Sequence, residues 1–183
     1  MLNRIVAIFL LLLISPIFIL LFIIILFFDG FPLLFTQKRV GTNNSIFLLY
    51  KFRTMKKNLG DIPTHMVKNA RHHLSKTGPF FRRFSFDELP QLVNIIRGEM
   101  VFVGPRPALY NQDDLIKLRA ENGIHRIKPG VTGWAQVNGR DELSIPDKVT
   151  MDKYYLVHKS VLLDLKIIFM TIKQVVVPRG VSH

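Results

Sequence analysis

From Ile5 to Phe28 the chain carries no charged residue, and only Ser15 and Pro16 interrupt a run of aliphatic and aromatic side chains. As one straight helix such a run is about 36 Å long, enough to cross a hydrocarbon core of about 30 Å. It is longer than the apolar part of a secretory signal, and Phe27-Phe28-Asp29-Gly30-Phe31-Pro32 offers no small-residue cleavage site after it. Pro16 removes a backbone donor and clashes with the preceding turn, which favours a helix-break-helix returning to the side it entered from. Arg4 before the run and Lys38 and Arg39 after it put basic residues at both ends, so charge does not orient a span. Proline also occurs in true spanning helices, and the pattern alone leaves both readings open.

Beyond Phe31 the periodicity changes. Ser45 to Phe52 reads as a strand, Asn58 to Ser75 as a polar loop with a short helix, and Gly78-Pro79 as punctuation. A helix is predicted over Gln91 to Arg97, with Pro90 in its first turn and Gly98 at its end. Gly104-Pro105-Arg106-Pro107 is a stiff loop, because two prolines leave little conformational freedom. Asp113 to Asn122 is a charged helix with Gly123 as its cap, and Lys128 to Arg140 is a glycine-rich stretch holding the only tryptophan. Asp152 to Val177 reads as two helical pieces with Ser160 as a cap between them. The second is apolar on a wide face, with Lys166 and Lys173 on the other, which suits either a helix lying on a membrane or a core helix. The expected fold class is α+β: a membrane segment over 1–30 and one small mixed domain over 31–183.

A chain of 183 residues holds one packed domain more comfortably than two. Its 25 Lys and Arg against 13 Asp and Glu, a net charge of +12, call for an anionic partner: lipid headgroups, a phosphorylated substrate or nucleic acid. The absence of cysteine removes disulfide and thiolate chemistry. No Walker-type loop, G-x-G-x-x-G fingerprint or recognised nucleic-acid module is present, so any phosphate site is built otherwise.

Asp87 and Glu88 are the sharpest chemical feature. Ser85-Phe86-Asp87-Glu88 matches an S-x-x-E capping box, and acids favour a helix start, so a purely structural role competes with a chemical one. Arg82 and Arg83 just upstream, and Arg106 in its rigid loop, bring charge that would let a phosphate approach two acids. A divalent cation bridging carboxylate to diphosphate would add more. Carboxylate, metal and arginines are what phosphoryl transfer uses, and an aspartate can itself be the nucleophile. Adjacent carboxylates are poorly placed to bracket a glycosidic bond, and adjacent His72-His73 lack zinc-ligand spacing.

With these residues in view the whole chain resembles the bacterial sugar transferase family, the small monotopic phosphoglycosyltransferases. The resemblance rests on the apolar hairpin with Ser15-Pro16, on Thr36-Gln37-Lys38-Arg39-Val40-Gly41 and on Tyr50-Lys51-Phe52-Arg53-Thr54-Met55. It continues through Ser85-Phe86-Asp87-Glu88-Leu89-Pro90-Gln91-Leu92, Val103-Gly104-Pro105-Arg106-Pro107 and Lys128-Pro129-Gly130-Val131-Thr132-Gly133-Trp134-Ala135-Gln136-Val137-Asn138-Gly139-Arg140. Phe86 fills a position often aliphatic in the family, and Ser160 to Asp164 lacks an aromatic often found there.

The resemblance implies transfer of a sugar 1-phosphate from a UDP-sugar to polyprenyl (undecaprenyl) phosphate, releasing UMP through a covalent aspartyl phospho-sugar. It makes Asp87 the nucleophile and Glu88 its partner through Mg2+ or a proton, with both carboxylates as metal ligands. Arg82, Arg106, Pro105, Pro107, Lys51, Arg53 and Arg140 become substrate-binding candidates, and Ser15-Pro16 the break of a re-entrant hairpin. The expected place is the bacterial inner membrane, with the catalytic domain on the cytoplasmic face and downstream glycosyltransferases as further partners. Because the chain opens on its own Met and apolar run, a complete small enzyme is expected. A membrane-tethered, non-catalytic scaffold or anionic-lipid-binding protein of the same fold is the alternative.

Overall fold

The computed structural model describes residues 1–56, 73–139 and 143–176. The polar loop expected over Asn58 to Ser75 lies mostly outside them, as do Arg140 and Val177.

The apolar run is broken where the sequence places Pro16. Helix α1 (Leu2–Leu13) ends at Ile14, and α2 (Ser15–Asp29) starts at once, bent 64° from it. Pro16 sits in the first turn of α2, where a missing N–H costs nothing because that donor has no intrahelical acceptor. The Ser15 hydroxyl donates back to the Leu12 carbonyl at 2.8 Å, occupying one of the groups left over at the end of α1. Among the described residues no single helix is long and apolar enough to cross a membrane; α1 and α2 meet that test only together.

Strands β1 (Leu34–Val40) and β2 (Ile46–Phe52) form an antiparallel hairpin with Lys51 opposite Phe35. Alternation decides its faces: Phe47 and Leu49 point into the core, Ile46 and Leu48 outward. Helix α3 (Gly78–Arg83) and α4 (Gln91–Arg97) follow, separated by a 3-10 turn over Phe86–Glu88. Gly98 takes φ +82° at the end of α4, a left-handed cap that suits glycine, so the predicted bounds of this helix hold.

Strand β3 (Val101–Val103) then pairs in parallel with β4 (Gly130–Thr132), with α5 (Asp113–Glu121) in the connection. Helices α6 (Trp134–Val137), α7 (Ile145–His158) and α8 (Val161–Val176) complete the fold. Helix α7 starts earlier than expected, capped by Ser144, whose hydroxyl accepts the Asp147 N–H. Ser160 caps α8 as foreseen, accepting the Leu163 N–H at 3.2 Å.

One core joins the apolar hairpin to the rest. Ala7 of α1 and Phe18, Leu21 and Ile25 of α2 are buried together with Phe52, Phe81, Leu92 and Ile95. Phe52 meets Phe22 edge-on at 5.1 Å and Phe81 at 5.6 Å between ring centres. Helix α8 packs Ile167, with Leu163, Ile168 and Met170 partly buried, against Val103, Val137 and Tyr155. Only Ile167 is buried, while Val161, Leu162, Leu165, Phe169, Ile172 and Val176 form one exposed apolar row. One face of this helix is thus packed against the domain and the other is left apolar and exposed.

Candidate active site

The Asp-Glu turn is shaped by aromatics rather than by a helix cap. Phe80, Phe84 and Phe86 gather on one side, with Phe84 and Phe86 stacked at 5.6 Å. Ser85 takes a left-handed φ of +56° and makes no side-chain capping bond. The capping box expected from Ser85 to Glu88 is therefore not formed. The Glu88 N–H donates to the Ser85 carbonyl, and its carboxylate reaches instead for a residue of β2.

That residue is Lys51. Its ammonium donates to Glu88 Oε1 at 2.7 Å and stands 3.7 Å from Asp87 Oδ2. Arg106 Nη1 approaches the same Glu88 oxygen at 3.5 Å. Arg82, on α3, is fixed by donation from Nε to Thr54 Oγ1 at 3.1 Å and acts on Asp87 through its charge. Solvent still reaches 13% of the Asp87 side chain and 22% of Glu88, so a ligand can touch both.

The two carboxyls are driven in opposite directions. Burial pushes Asp87 above the ordinary aspartate value, reinforced by the Glu88 charge and only partly offset by Lys51, Arg82 and Arg106. Burial also pushes Glu88 upward, but Lys51 and Arg106 outweigh it and hold that carboxyl at about 2. A pair of acids separated in this way can divide its duties, one staying anionic while the other is the more basic.

Lys51 reaches this position because β2 is tied to α4. Asn94, fully buried in α4, accepts the Tyr50 N–H at 3.1 Å and donates to the Leu48 carbonyl and to Glu99, each at 2.7 Å. Sequence reasoning passed over Asn94, although a polar amide inside the apolar stretch Leu92-Val93-Asn94-Ile95-Ile96 is the signal that could have found it.

The remaining candidates divide. Pro105 and Pro107 are buried and shape the turn from which Arg106 projects, its side chain 41% exposed. Arg53, two residues beyond Lys51, does not join the cluster. It is buried and donates to the carbonyls of Asp29 and Gly30, the latter at 2.7 Å, at the end of α2. Arg83 is exposed and lies over the Phe84 ring. Arg140 is outside the described residues.

Among the described residues no three His, Asp or Glu side chains gather as a metal cage. Two neighbouring carboxylates at an open site nonetheless suit Mg2+, which is commonly bound by one or two carboxylates plus substrate phosphates.

The chain is similar to known proteins along most of its length. The chain is 41% identical over 156 residues to "Uncharacterized sugar transferase EpsL" of Bacillus subtilis (strain 168), covering 84% of this chain and 75% of that protein. It is 41% identical over 160 residues to "Undecaprenyl-phosphate glucose phosphotransferase" of Komagataeibacter xylinus, covering 81% of this chain but 30% of that protein. With "UDP-glucose:undecaprenyl-phosphate glucose-1-phosphate transferase" of Escherichia coli (strain K12) it shares 35% identity over 177 residues, 93% of this chain and 38% of the other. The chain thus spans most of one relative and about a third of the other two. Residues 1–178 match the bacterial sugar transferase family as a whole, and the chain belongs to that family.

Proposed function

We infer that this protein transfers a sugar 1-phosphate from a UDP-sugar to undecaprenyl phosphate, the priming step of polysaccharide synthesis. The observation that carries the reading is a solvent-reachable Asp87 with raised basicity, set among Lys51, Arg82 and Arg106. A carboxylate oxygen of Asp87 attacks the β-phosphorus of the nucleotide sugar. The bond from that phosphorus to the bridging oxygen breaks, UMP leaves with the oxygen, and the sugar phosphate stays on Asp87. A phosphate oxygen of the lipid then attacks the same phosphorus, breaking the bond to Asp87 and restoring the carboxylate.

Burial that raises Asp87 makes it the better nucleophile, because a more basic oxygen donates its electron pair more readily. Glu88, held at about 2, is a poor proton carrier near neutrality. Its role is to stay anionic and orient Lys51 and Arg106, whose charges then meet the phosphoryl oxygens. Asp87 and Glu88 are also the groups that would hold Mg2+ beside the diphosphate, where the ion would neutralise charge.

The lipid acceptor requires the site to sit at headgroup height, and a re-entrant α1–α2 anchor supplies that. Both ends of the pair are tied to the same domain. Arg4 donates to the Arg97 carbonyl at 3.1 Å and Asn3 accepts the Phe102 N–H, while the Asp29 carboxylate accepts from Lys76 N and from Thr77. A straight span would place its ends on opposite sides of the bilayer, about 30 Å apart. The exposed row on α8 would rest on the same surface, with the basic domain on the cytoplasmic side among anionic lipids.

The test is nucleotide release by detergent-solubilised protein given Mg2+ and a panel of UDP-sugars. A stoichiometric burst of UMP without lipid, becoming turnover when undecaprenyl phosphate is added, is expected; release of UDP would overturn the mechanism. Asp87→Asn should abolish the burst while leaving the fold intact.

A further inference from the structure

The turn that carries Arg106 cannot hold itself. Pro105 and Pro107 contribute no N–H, so the turn depends on donors from outside. Three of its carbonyls find them: Pro105 accepts the Gly130 N–H at 2.9 Å, Arg106 accepts Arg119 Nη1 at 2.8 Å, and Pro107 accepts Arg39 Nη1 at 2.9 Å.

The donor on the Arg106 carbonyl is itself directed. Arg119 projects from α5, and its Nε and Nη2 both donate to Asp152 Oδ2 of α7, at 3.0 and 2.5 Å. Asp152 is 1% exposed and the Arg119 side chain 12%. A buried ion pair of this kind adds little net stability over a packed apolar pair, because desolvation offsets the attraction. Its distinctive product here is direction: a planar fork with two nitrogens on Asp152 can aim the third at only one place. That place is the backbone of the residue whose side chain stands 3.5 Å from Glu88.

We propose that Arg119, oriented by Asp152, is a positioning residue for phosphate transfer. By holding the Arg106 backbone it fixes the base from which the guanidinium meets the substrate diphosphate. The proposal rests on the reading of Arg106 as a phosphate ligand. Arg106 is a long, half-exposed side chain, so freedom at its base is added to the freedom of its stem. Misplacement by about 1 Å is enough to lower transfer by up to about a hundredfold.

Arg119→Lys tests this, since an ammonium retains the charge opposite Asp152 but lacks the rigid planar fork that aims one nitrogen at the Arg106 carbonyl while two others hold Asp152. UMP-burst rates would be measured against UDP-sugar concentration for the wild type, Arg119→Lys, Arg106→Ala and the double variant. The expected result is a rise in KM for the nucleotide sugar of about tenfold or more in Arg119→Lys, with the melting temperature little changed. In the Arg106→Ala background the same substitution should add almost nothing, because positioning acts only through the Arg106 side chain. Multiplying effects in the double variant, or a wild-type KM in Arg119→Lys, would overturn the proposal. Should Arg119→Lys not fold, Asp152→Asn, which leaves Arg119 an acceptor of the same shape, completes the same cycle. A silent wild type would instead count against the transferase reading. The cycle is then read from UMP binding, measured as protection against thermal unfolding, where additive losses would still refute the coupling.

Discussion

Replacing Lys51 with Met keeps most of the stem and deletes the ammonium that serves two carboxylates at once. Glu88 lies at about 2 against an ordinary 4.5, a preference for the charged form of about 3 kcal/mol. Burial opposes that preference, and Lys51 leads the charges that produce it, with Arg106 second. Because solvent reaches 17% of Lys51 and 22% of Glu88, screening reduces the loss, and about 1–3 kcal/mol of stability should disappear at neutral pH. The depressed Glu88 contributes stability that is complete above its unfolded value of 4.5 and is lost as pH falls toward 2. In Lys51→Met this acid-labile portion should shrink. Asp87 behaves oppositely: burial raises it above 3.8, so its ionisation costs stability as pH rises through its folded value. Without Lys51 it should rise further, and the nucleophile should ionise only at higher pH. Rapid-quench measurement of the UMP burst, without lipid, from mildly acidic to mildly basic pH reads both effects. The burst should slow by about a hundredfold or more at neutral pH, and its acid limb should move upward. A burst within a few-fold of the wild type, with an unmoved acid limb, would refute the assignment of Lys51 to the site.

Three further outcomes are expected. Asn94→Leu strands the Tyr50 N–H and Leu48 carbonyl in the core, costing about 2–3 kcal/mol in chemical denaturation and slowing the burst as Lys51 loses its register; unchanged stability would count against it. Gly130→Ala would place a methyl 2.1 Å from the Gly104 nitrogen and 2.5 Å from the Thr132 oxygen, so the two backbones must part. A loss of about 3 kcal/mol or more is expected, and a wild-type melting curve would show that this approach is looser than described. Pro16→Leu should straighten the anchor and carry the N-terminus across the membrane; a cysteine at residue 2 labelled only from the cytoplasmic side in both forms would mean that proline does not set the topology.

Local features of this protein were legible in its sequence because their causes are local. Pro90 and Gly98 bound α4, Pro105 and Pro107 stiffen the turn of Arg106, and Ser15-Pro16 breaks the apolar run. Each follows from what one residue does to its own backbone. The ordered motifs likewise identified the family and picked out Asp87, Glu88, Arg82 and Arg106. The partnerships were decided only by the tertiary structure. Ser85 and Glu88 have the spacing of a capping box, yet Lys51, 37 residues earlier, claims the Glu88 carboxylate. Lys51 and Arg53 would share a face in a continuing strand, but β2 ends at Phe52 and the chain turns away. One cation therefore enters the site while the other caps the end of α2. Asn94 bonds to β2 residues 44 and 46 positions earlier and Arg119 to Asp152 33 residues later, and no local pattern names either partner. A charged side chain settles on the partner that best replaces the water it loses, and burial, which sets that loss, exists only once distant segments have packed.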